Sequence, residues 1–191
     1  MTSPGPALGA LAGRVAAAPI SWGICEVPGW GEMLPAERVL AEMQALGLPA
    51  TEFGAPGFLP AEPEPLRELL NRFDLALVGG FVPLVLQNLD QRAAMLERAR
   101  EVADLFAACG ATRFVTALVQ DDGWSRPTPL DADGMKVVGE GLAEIDEIAR
   151  SRGLLQVLHP HVDTLVETAH DVELALEHTD VAWCLDTGHL V

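Results

Sequence analysis

The sequence is poor in cysteine and in basic residues, and each shortage excludes a class of function. Its 191 residues include three cysteines, Cys25, Cys109 and Cys184, and no C-x-x-C pair. An odd number of isolated cysteines indicates neither a disulfide framework nor a thiolate zinc site. We expect them to be small apolar side chains in a reducing cytoplasm. The 12 lysines and arginines are outnumbered by 28 aspartates and glutamates, and the formal net charge of −16 opposes binding to nucleic-acid phosphates.

Long apolar runs are also missing. No run approaches the roughly 20 residues that a membrane-spanning helix needs. Residues 1–13 are rich in small residues, proline and glycine and have no basic region ahead of an apolar stretch, so we interpret them as a flexible leader and not as a signal peptide. The 49% of hydrophobic residues can form the core of one domain. We therefore predict a cytoplasmic globular protein with neither a membrane nor a nucleic-acid partner.

Apolar runs alternate with amphipathic stretches along the rest of the chain. Continuously apolar strands that are each followed by a helix indicate parallel pairing, with both faces of the sheet buried. The predicted strands are 14–20, 49–53, 75–78, 112–119, 154–158 and 181–185. The predicted helices are 35–46, a segment containing Leu66, Leu69 and Leu70, 90–109, 133–152 and 169–178. This order fits either a doubly wound open sheet or a (β/α)8 barrel.

The position of the polar residues favours the barrel. A dinucleotide-binding sheet has a glycine-rich phosphate loop before its first helix, and this sequence has none there. Polar and acidic residues follow predicted strands one, two, five and six, where a barrel has its active site. We predict the α/β class and a (β/α)8 TIM barrel over residues 14–191. Because a complete barrel takes about 250 residues, we expect a barrel truncated after its sixth strand, either a fragment or a chain closed by a partner. Its open edge predicts self-association.

The first cluster of candidate functional residues follows predicted strand five. It is His159-Pro160-His161-Val162-Asp163-Thr164. In an extended segment, residues two apart point the same way, so His159 and His161 could converge on one ion. Imidazole pairs suit Zn, Mn, Co or Fe. A structural role is the more common one for a lone histidine, but two at this spacing favour a functional site.

The second cluster, Asp186-Thr187-Gly188-His189, follows predicted strand six. An aspartate at the end of a buried strand needs a cation or several hydrogen-bond donors, because little water reaches it. Gly188 permits a sharp turn that can bring His189 back over the same site. The alternative is that Asp186 caps a following helix.

Glu52 ends predicted strand two among small and apolar residues. Its carboxylate is a candidate metal ligand or general base, and the alternative is an ion-paired loop residue. Trp22, Trp30 and Phe58 could provide apolar walls for a sugar ring, or they could be ordinary packing at the rim of the barrel.

Four segments together resemble the xylose isomerase-like TIM barrels, a superfamily of sugar isomerases and epimerases that also includes inosose dehydratase and endonuclease IV. The segments are Ala-Pro-Ile-Ser-Trp-Gly (18–23), Ala-Thr-Glu-Phe-Gly (50–54), His-Pro-His-Val-Asp-Thr (159–164) and Leu-Asp-Thr-Gly-His-Leu (185–190). The resemblance extends over residues 14–191. The last two segments look most like the inosose dehydratase branch.

The resemblance implies a divalent metal (Mn, Co, Mg or Zn) at the mouth of the barrel and a sugar or cyclitol substrate. Asp186 matches the family's strand-six metal ligand, and His189 matches the histidine that contacts substrate. The family's strand-five ligand is usually a glutamate, and here that region offers Gln156, His159 and His161. This departure favours the dehydratase branch over the epimerases. The family's later His and Glu ligands, on strands seven and eight, have no counterpart in this sequence.

The residues and the resemblance together predict one site. Its metal ligands are Asp186, His159 and Glu52, its proton-transfer residues are Glu52 and His189, and its substrate contacts are Trp22, His161 and His189. Asp186 is expected within a few ångströms of Glu52 and of at least one of the two strand-five histidines. The implied activity is a metal-dependent sugar or sugar-phosphate isomerase or epimerase. The alternatives are an inosose dehydratase-like lyase and a non-catalytic barrel remnant, while endonuclease IV-like DNA repair is disfavoured by the acidic charge.

Overall fold

The computed structural model describes residues 13–25, 27 and 29–189. Strands and helices alternate along it, except that two strands separated only by Gly80 follow each other where the sequence predicts one strand at 75–78. The leader predicted over 1–13 lies outside the described residues, apart from Gly13. The strands are β1 (Ala50–Glu52), β2 (Ala76–Gly79), β3 (Phe81–Leu84), β4 (Arg113–Leu118) and β5 (Leu155–Leu158). The helices are α1 (Ala36–Ala45), α2 (Pro63–Arg72), α3 (Leu89–Ala108), α4 (Ala132–Arg150) and α5 (Ala169–His178).

The chain forms two compact units. The first contains the residues up to Gly80 together with Leu105–Thr112, and the second contains Phe81–Asp104 and the residues from Arg113 onward. The candidate functional residues are therefore divided between the units. Those that precede Gly80 belong to the first unit, and the two histidine clusters belong to the second.

In the first unit, β1 and β2 pair in parallel. The strand predicted over 14–20 is wrong in extent, because among the described residues it contributes only a parallel bridge between Ala17 and Thr51. The chain turns at Pro19–Trp22 into a short 3-10 helix with proline at its start. Proline has no N–H for a sheet ladder and its fixed φ suits the first turn of a helix, which explains why the strand stops there.

In the second unit, β3, β4 and β5 form a parallel sheet in that order. Each strand pairs with the next one along the chain, which is the strand order of a barrel. The strand predicted over 181–185 is also shorter than expected, since it contributes a parallel bridge between Leu158 and Trp183. Backbone bonds of 2.7 and 2.8 Å, from the Leu158 N–H to the Ala182 carbonyl and from the Cys184 N–H to the Leu158 carbonyl, hold this segment beside β5.

Side-chain caps define where α4 and α5 begin. Asp131 accepts the backbone N–H of Gly134 at the start of α4. Thr168 and Asp171 form a reciprocal capping box at the start of α5. The buried stripe predicted for α4 is confirmed, and its members are Val138, Leu142, Ile145 and Ala149.

In the described part of the chain, no helix combines the length and the hydrophobicity that a membrane crossing requires.

Gly80, between β2 and β3, is a position where no side chain fits. A Cβ atom there would lie 2.8 Å from the Phe53 Cβ atom and 2.8 Å from the Phe106 ring, and these two rings already pack edge to face at 5.6 Å. We expect Gly80→Ala to lower the free energy of unfolding by about 1–3 kcal/mol, because overpacking displaces well-packed side chains. Urea titration checks this, and an unchanged midpoint would show that the rings move aside freely.

Candidate metal centre

Three side chains at the carboxyl ends of neighbouring segments form the candidate metal centre. His159 follows β5, and Asp186 and His189 follow the bridge that pairs with β5. One ligand atom from each lies within 4.8 Å of the others. The Nε2 atom of His159 and the Nδ1 atom of His189 are each 2.7 Å from the same Asp186 oxygen, Oδ2. Two imidazoles therefore converge on one carboxylate oxygen.

The second oxygen of Asp186 is held by the backbone. Its Oδ1 atom accepts the N–H of Gly188 at 2.6 Å and the N–H of His189 at 2.9 Å. This is an aspartate turn, in which the carboxylate bonds to the backbone that follows it. The turn returns His189 to Asp186 and directs Oδ2 toward the two imidazoles. A helix N-cap accepts N–H groups at the same two positions, so this geometry is compatible with both roles predicted for Asp186, and in both Oδ2 is directed to the imidazoles.

Burial and hydrogen bonding set the charge of the centre. Burial acts to raise the pKa of Asp186, but the N–H groups of His189 and Gly188 and the His159 ring outweigh it, and the pKa lies well below its usual range. Burial lowers the pKa of His159, and the Asp186 hydrogen bond opposes this shift without reversing it. At neutral pH the centre therefore combines a carboxylate with a neutral imidazole, the protonation states that metal ligands need.

His161 lies beside the three donor residues but does not belong to the group whose ligand atoms converge. Its ring centroid is 4.2 Å from that of His189 and 5.4 Å from that of His159. Its Nδ1 atom is 2.7 Å from the Val162 carbonyl oxygen. A carbonyl only accepts, so Nδ1 carries the proton and the lone pair of the neutral ring is on Nε2. His161 thus presents an acceptor nitrogen next to the candidate metal centre.

Two aromatic side chains that the sequence analysis missed complete this cluster. Phe81 begins β3, and its ring lies 5.7 Å from that of His159 and 5.4 Å from that of His161. Trp124, in the loop after β4, stacks on Phe81 at 6.2 Å with an interplanar angle of 14°. In the sequence, Phe81 comes shortly after predicted strand three and Trp124 lies in the polar loop after predicted strand four. This position after a strand was the one sequence feature that could have identified them as candidates.

A family model for the xylose isomerase-like TIM barrel matches residues 35–191. The chain belongs to this family. The resemblance and the (β/α)8 class predicted from the sequence are therefore confirmed. The inosose dehydratase of Geobacillus kaustophilus is 30% identical to this xylose isomerase-like chain over 92% of the chain and 60% of the relative. The chain thus spans about three fifths of the length of the curated relatives it matches.

Solved structures have the same fold. A xylose isomerase-like TIM barrel protein from Mycobacterium smegmatis in complex with magnesium superposes with a TM-score of 0.64, at 20% identity, over 92% of this chain and 65% of that one. D-allulose 3-epimerase from Methylomonas sp. in complex with D-allulose gives a TM-score of 0.60 at 12% identity, over 87% of this chain and 58% of that one.

The remaining predicted residues of this family member have different surroundings. Glu52 and Trp22 belong to the first unit, so their predicted roles as ligand or base and as substrate contact stay predictions. Glu52 is the half-buried last residue of β1. The Trp22 indole donates to Glu42 at 2.8 Å. Of the other two aromatic candidates, Phe58 is buried and Trp30 is 73% exposed.

Gln156 is not placed as a metal ligand, although the sequence offered it as one. It is three residues from His159 in an extended segment, so the two side chains point to opposite faces. Gln156 is buried, and its Nε2 atom donates to the Thr116 hydroxyl at 3.2 Å. Of the two histidines that follow β5, His159 contributes to the donor group found among the described residues and His161 does not.

Proposed function

We propose that this chain provides part of the active site of a metal-dependent enzyme that transfers a proton at the carbon next to a carbonyl of a sugar or cyclitol. The observation that carries the proposal is the group of three donors, His159, Asp186 and His189. Similarity to an inosose dehydratase supports dehydration of a cyclic ketose as the outcome. Isomerisation or epimerisation of a ketose, expected first from the sequence, is the second candidate, and a neighbouring fold bound to D-allulose supports it.

The chemistry of the donors fits a divalent cation. Two imidazole nitrogens and one carboxylate oxygen form a set that suits Mn, Co or Zn, and the carboxylate also suits Mg. Asp186 is ionised, and the backbone bonds to its Oδ1 leave Oδ2 for the cation. The two ring nitrogens donate to Oδ2, so a cation would replace the protons they share with it. His159, Asp186 and His189 would hold the ion, which adds His189 to the predicted ligands.

A divalent cation held by His159, Asp186 and His189 would supply Lewis-acid polarisation of a substrate carbonyl, which would increase the acidity of the neighbouring C–H group. Around it, this chain supplies binding and orientation. The Nε2 lone pair of His161 can accept a hydrogen bond from a substrate hydroxyl, and Phe81 and Trp124 present apolar surface beside the histidines. The proton-transfer roles of Glu52 and His189 stay predictions from the sequence.

Deuterium exchange tests this function directly. We expect the Mn²⁺-loaded chain, once the rest of its active site is supplied, to incorporate deuterium from D₂O at the carbon next to the carbonyl of an inosose, because proton abstraction precedes either outcome. Proton NMR measures the exchange, EDTA should abolish it, and mass spectrometry distinguishes loss of water from epimerisation. A chain that binds Mn²⁺ but exchanges neither inosose nor ketose protons would be a binding remnant. Absence of Mn²⁺ binding would contradict the metal centre itself.

A further inference from the structure

Phe81 contacts both histidines that follow β5, although it is on a different strand. Its ring meets that of His159 at an interplanar angle of 90° and that of His161 at 51°, with centroids 5.7 and 5.4 Å away. Aromatic rings at these separations attract each other edge to face and restrict each other's rotation. One phenyl ring therefore limits the movement of a candidate metal ligand and of the neighbouring imidazole.

Phe81 is itself held in place from two sides. As the first residue of β3, it pairs with Val115 in the parallel ladder to β4. On the other side, Trp124 stacks on it. The loop that carries Trp124 is shaped by Asp121, whose carboxylate accepts the N–H groups of Gly123 and Ser125 at 2.9 and 3.1 Å. The phenyl ring is thus a rigid support built into the sheet.

We infer that Phe81 is a positioning residue that holds the imidazole of His159 in the orientation that cation binding requires, and that of His161 beside it. This inference rests on the proposed function, because it concerns the same centre. A histidine side chain on a strand end has rotamer freedom that a cation must remove on binding. A ring that removes this freedom beforehand raises the affinity, and the energy of one aromatic pair corresponds to about 2- to 12-fold in affinity.

Substitution of Phe81 tests the inference through binding of Co²⁺. We expect Phe81→Leu to weaken Co²⁺ binding by about 2- to 12-fold and to change its visible absorption spectrum, which reports ligand geometry. Phe81→Tyr, which keeps the ring, should restore both. Phe73→Leu is the matched control, because Phe73 is a half-buried phenylalanine at the end of α2 that packs on the Arg72 guanidinium. Phe81→Met keeps more of the volume and replaces the leucine variant if that variant does not fold.

Wild-type affinity and spectrum in Phe81→Leu would overturn the role of Phe81 and leave the proposed function intact. If the wild type itself binds no Co²⁺, the proposed metal centre fails, and NMR of the metal-free chain then decides about Phe81. We expect the imidazole signals of His159 and His161 to lose order in Phe81→Leu and to be unchanged in Phe73→Leu. Unchanged signals in both variants would overturn the inference.

Discussion

Asp186→Asn is expected to weaken Mn²⁺ binding by roughly a hundredfold or more, since loss of a supporting partner alone costs 10- to 100-fold and Asp186 is a direct donor. The substitution conserves the shape of the side chain. Its amide oxygen can still accept the N–H groups of Gly188 and His189 in place of Oδ1. The NH₂ group then takes the place of Oδ2, opposite the ring nitrogens of His159 and His189, and it offers neither negative charge nor a lone pair.

Titration calorimetry with Mn²⁺ measures this effect, and Asp163→Asn is the matched control. Asp163 is an exposed aspartate in the loop after β5, so the control removes the same charge near the same strand end. Its φ of 57° is one that asparagine readily adopts. We expect the control to bind Mn²⁺ within about twofold of the wild type, because exposed charges are screened by salt. Equal affinities in Asp186→Asn and Asp163→Asn would show that Asp186 only shapes the turn.

The part of the centre that the sequence predicted depends on local geometry. The period of an extended segment places His159 and His161 on one side, and the aspartate turn is encoded within the four residues 186–189. Parallel strands then bring the two segments to the same edge, because their carboxyl ends lie together. The contacts between His159 and Asp186 join two neighbouring parallel segments, so they could be anticipated from the order of strands and helices along the chain.

Phe81 and Trp124 could not be anticipated in the same way. Each contact depends on the register between β3 and β4 and on the backbone of the loop that follows β4. Trp124 adopts a φ of 57°, a left-handed backbone conformation that is rare for tryptophan and that the sequence does not indicate.

The lengths of two strands could not be anticipated either. The hydrophobic pattern suggested full strands at 14–20 and 181–185, because an apolar run indicates that a segment is buried but not how many of its residues pair with a neighbouring strand.

Gln156 and His159 show how the face of a strand separates structural from functional polar residues. Both lie in or directly after the same strand, and both are polar residues in an apolar run. Gln156 donates to the Thr116 hydroxyl within the buried face, whereas His159 reaches the edge and meets Asp186. The two residues are three positions apart, so in an extended segment their side chains lie on opposite faces, and only His159 is on the face of the candidate metal centre.

Arg92→Met is expected to lower the free energy of unfolding by about 2–3 kcal/mol, because it removes three hydrogen bonds made by a charged, largely buried side chain. The Arg92 side chain, on α3, is 11% exposed. Its guanidinium donates to the Leu86 carbonyl at 3.0 Å, to the Val137 carbonyl and to the Glu144 carboxylate at 3.2 Å. Gly141 of α4 leaves room for it, since a Cβ atom there would lie 3.3 Å from the guanidinium carbon.

Urea titration of Arg92→Met and Arg98→Met separates this buried junction from ordinary surface charge. Arg98 is on the same helix and pairs with Asp122, but its side chain is 34% exposed and that of Asp122 is 68% exposed. Exposed pairs contribute about 0–1 kcal/mol, so Arg98→Met should shift the unfolding midpoint little. Methionine keeps much of the aliphatic volume in both variants, and the difference between them therefore reports the carbonyl and carboxylate partners. Equal shifts would mean that water replaces the guanidinium at Leu86 and Val137, and that the connection between α3 and α4 depends on apolar packing alone.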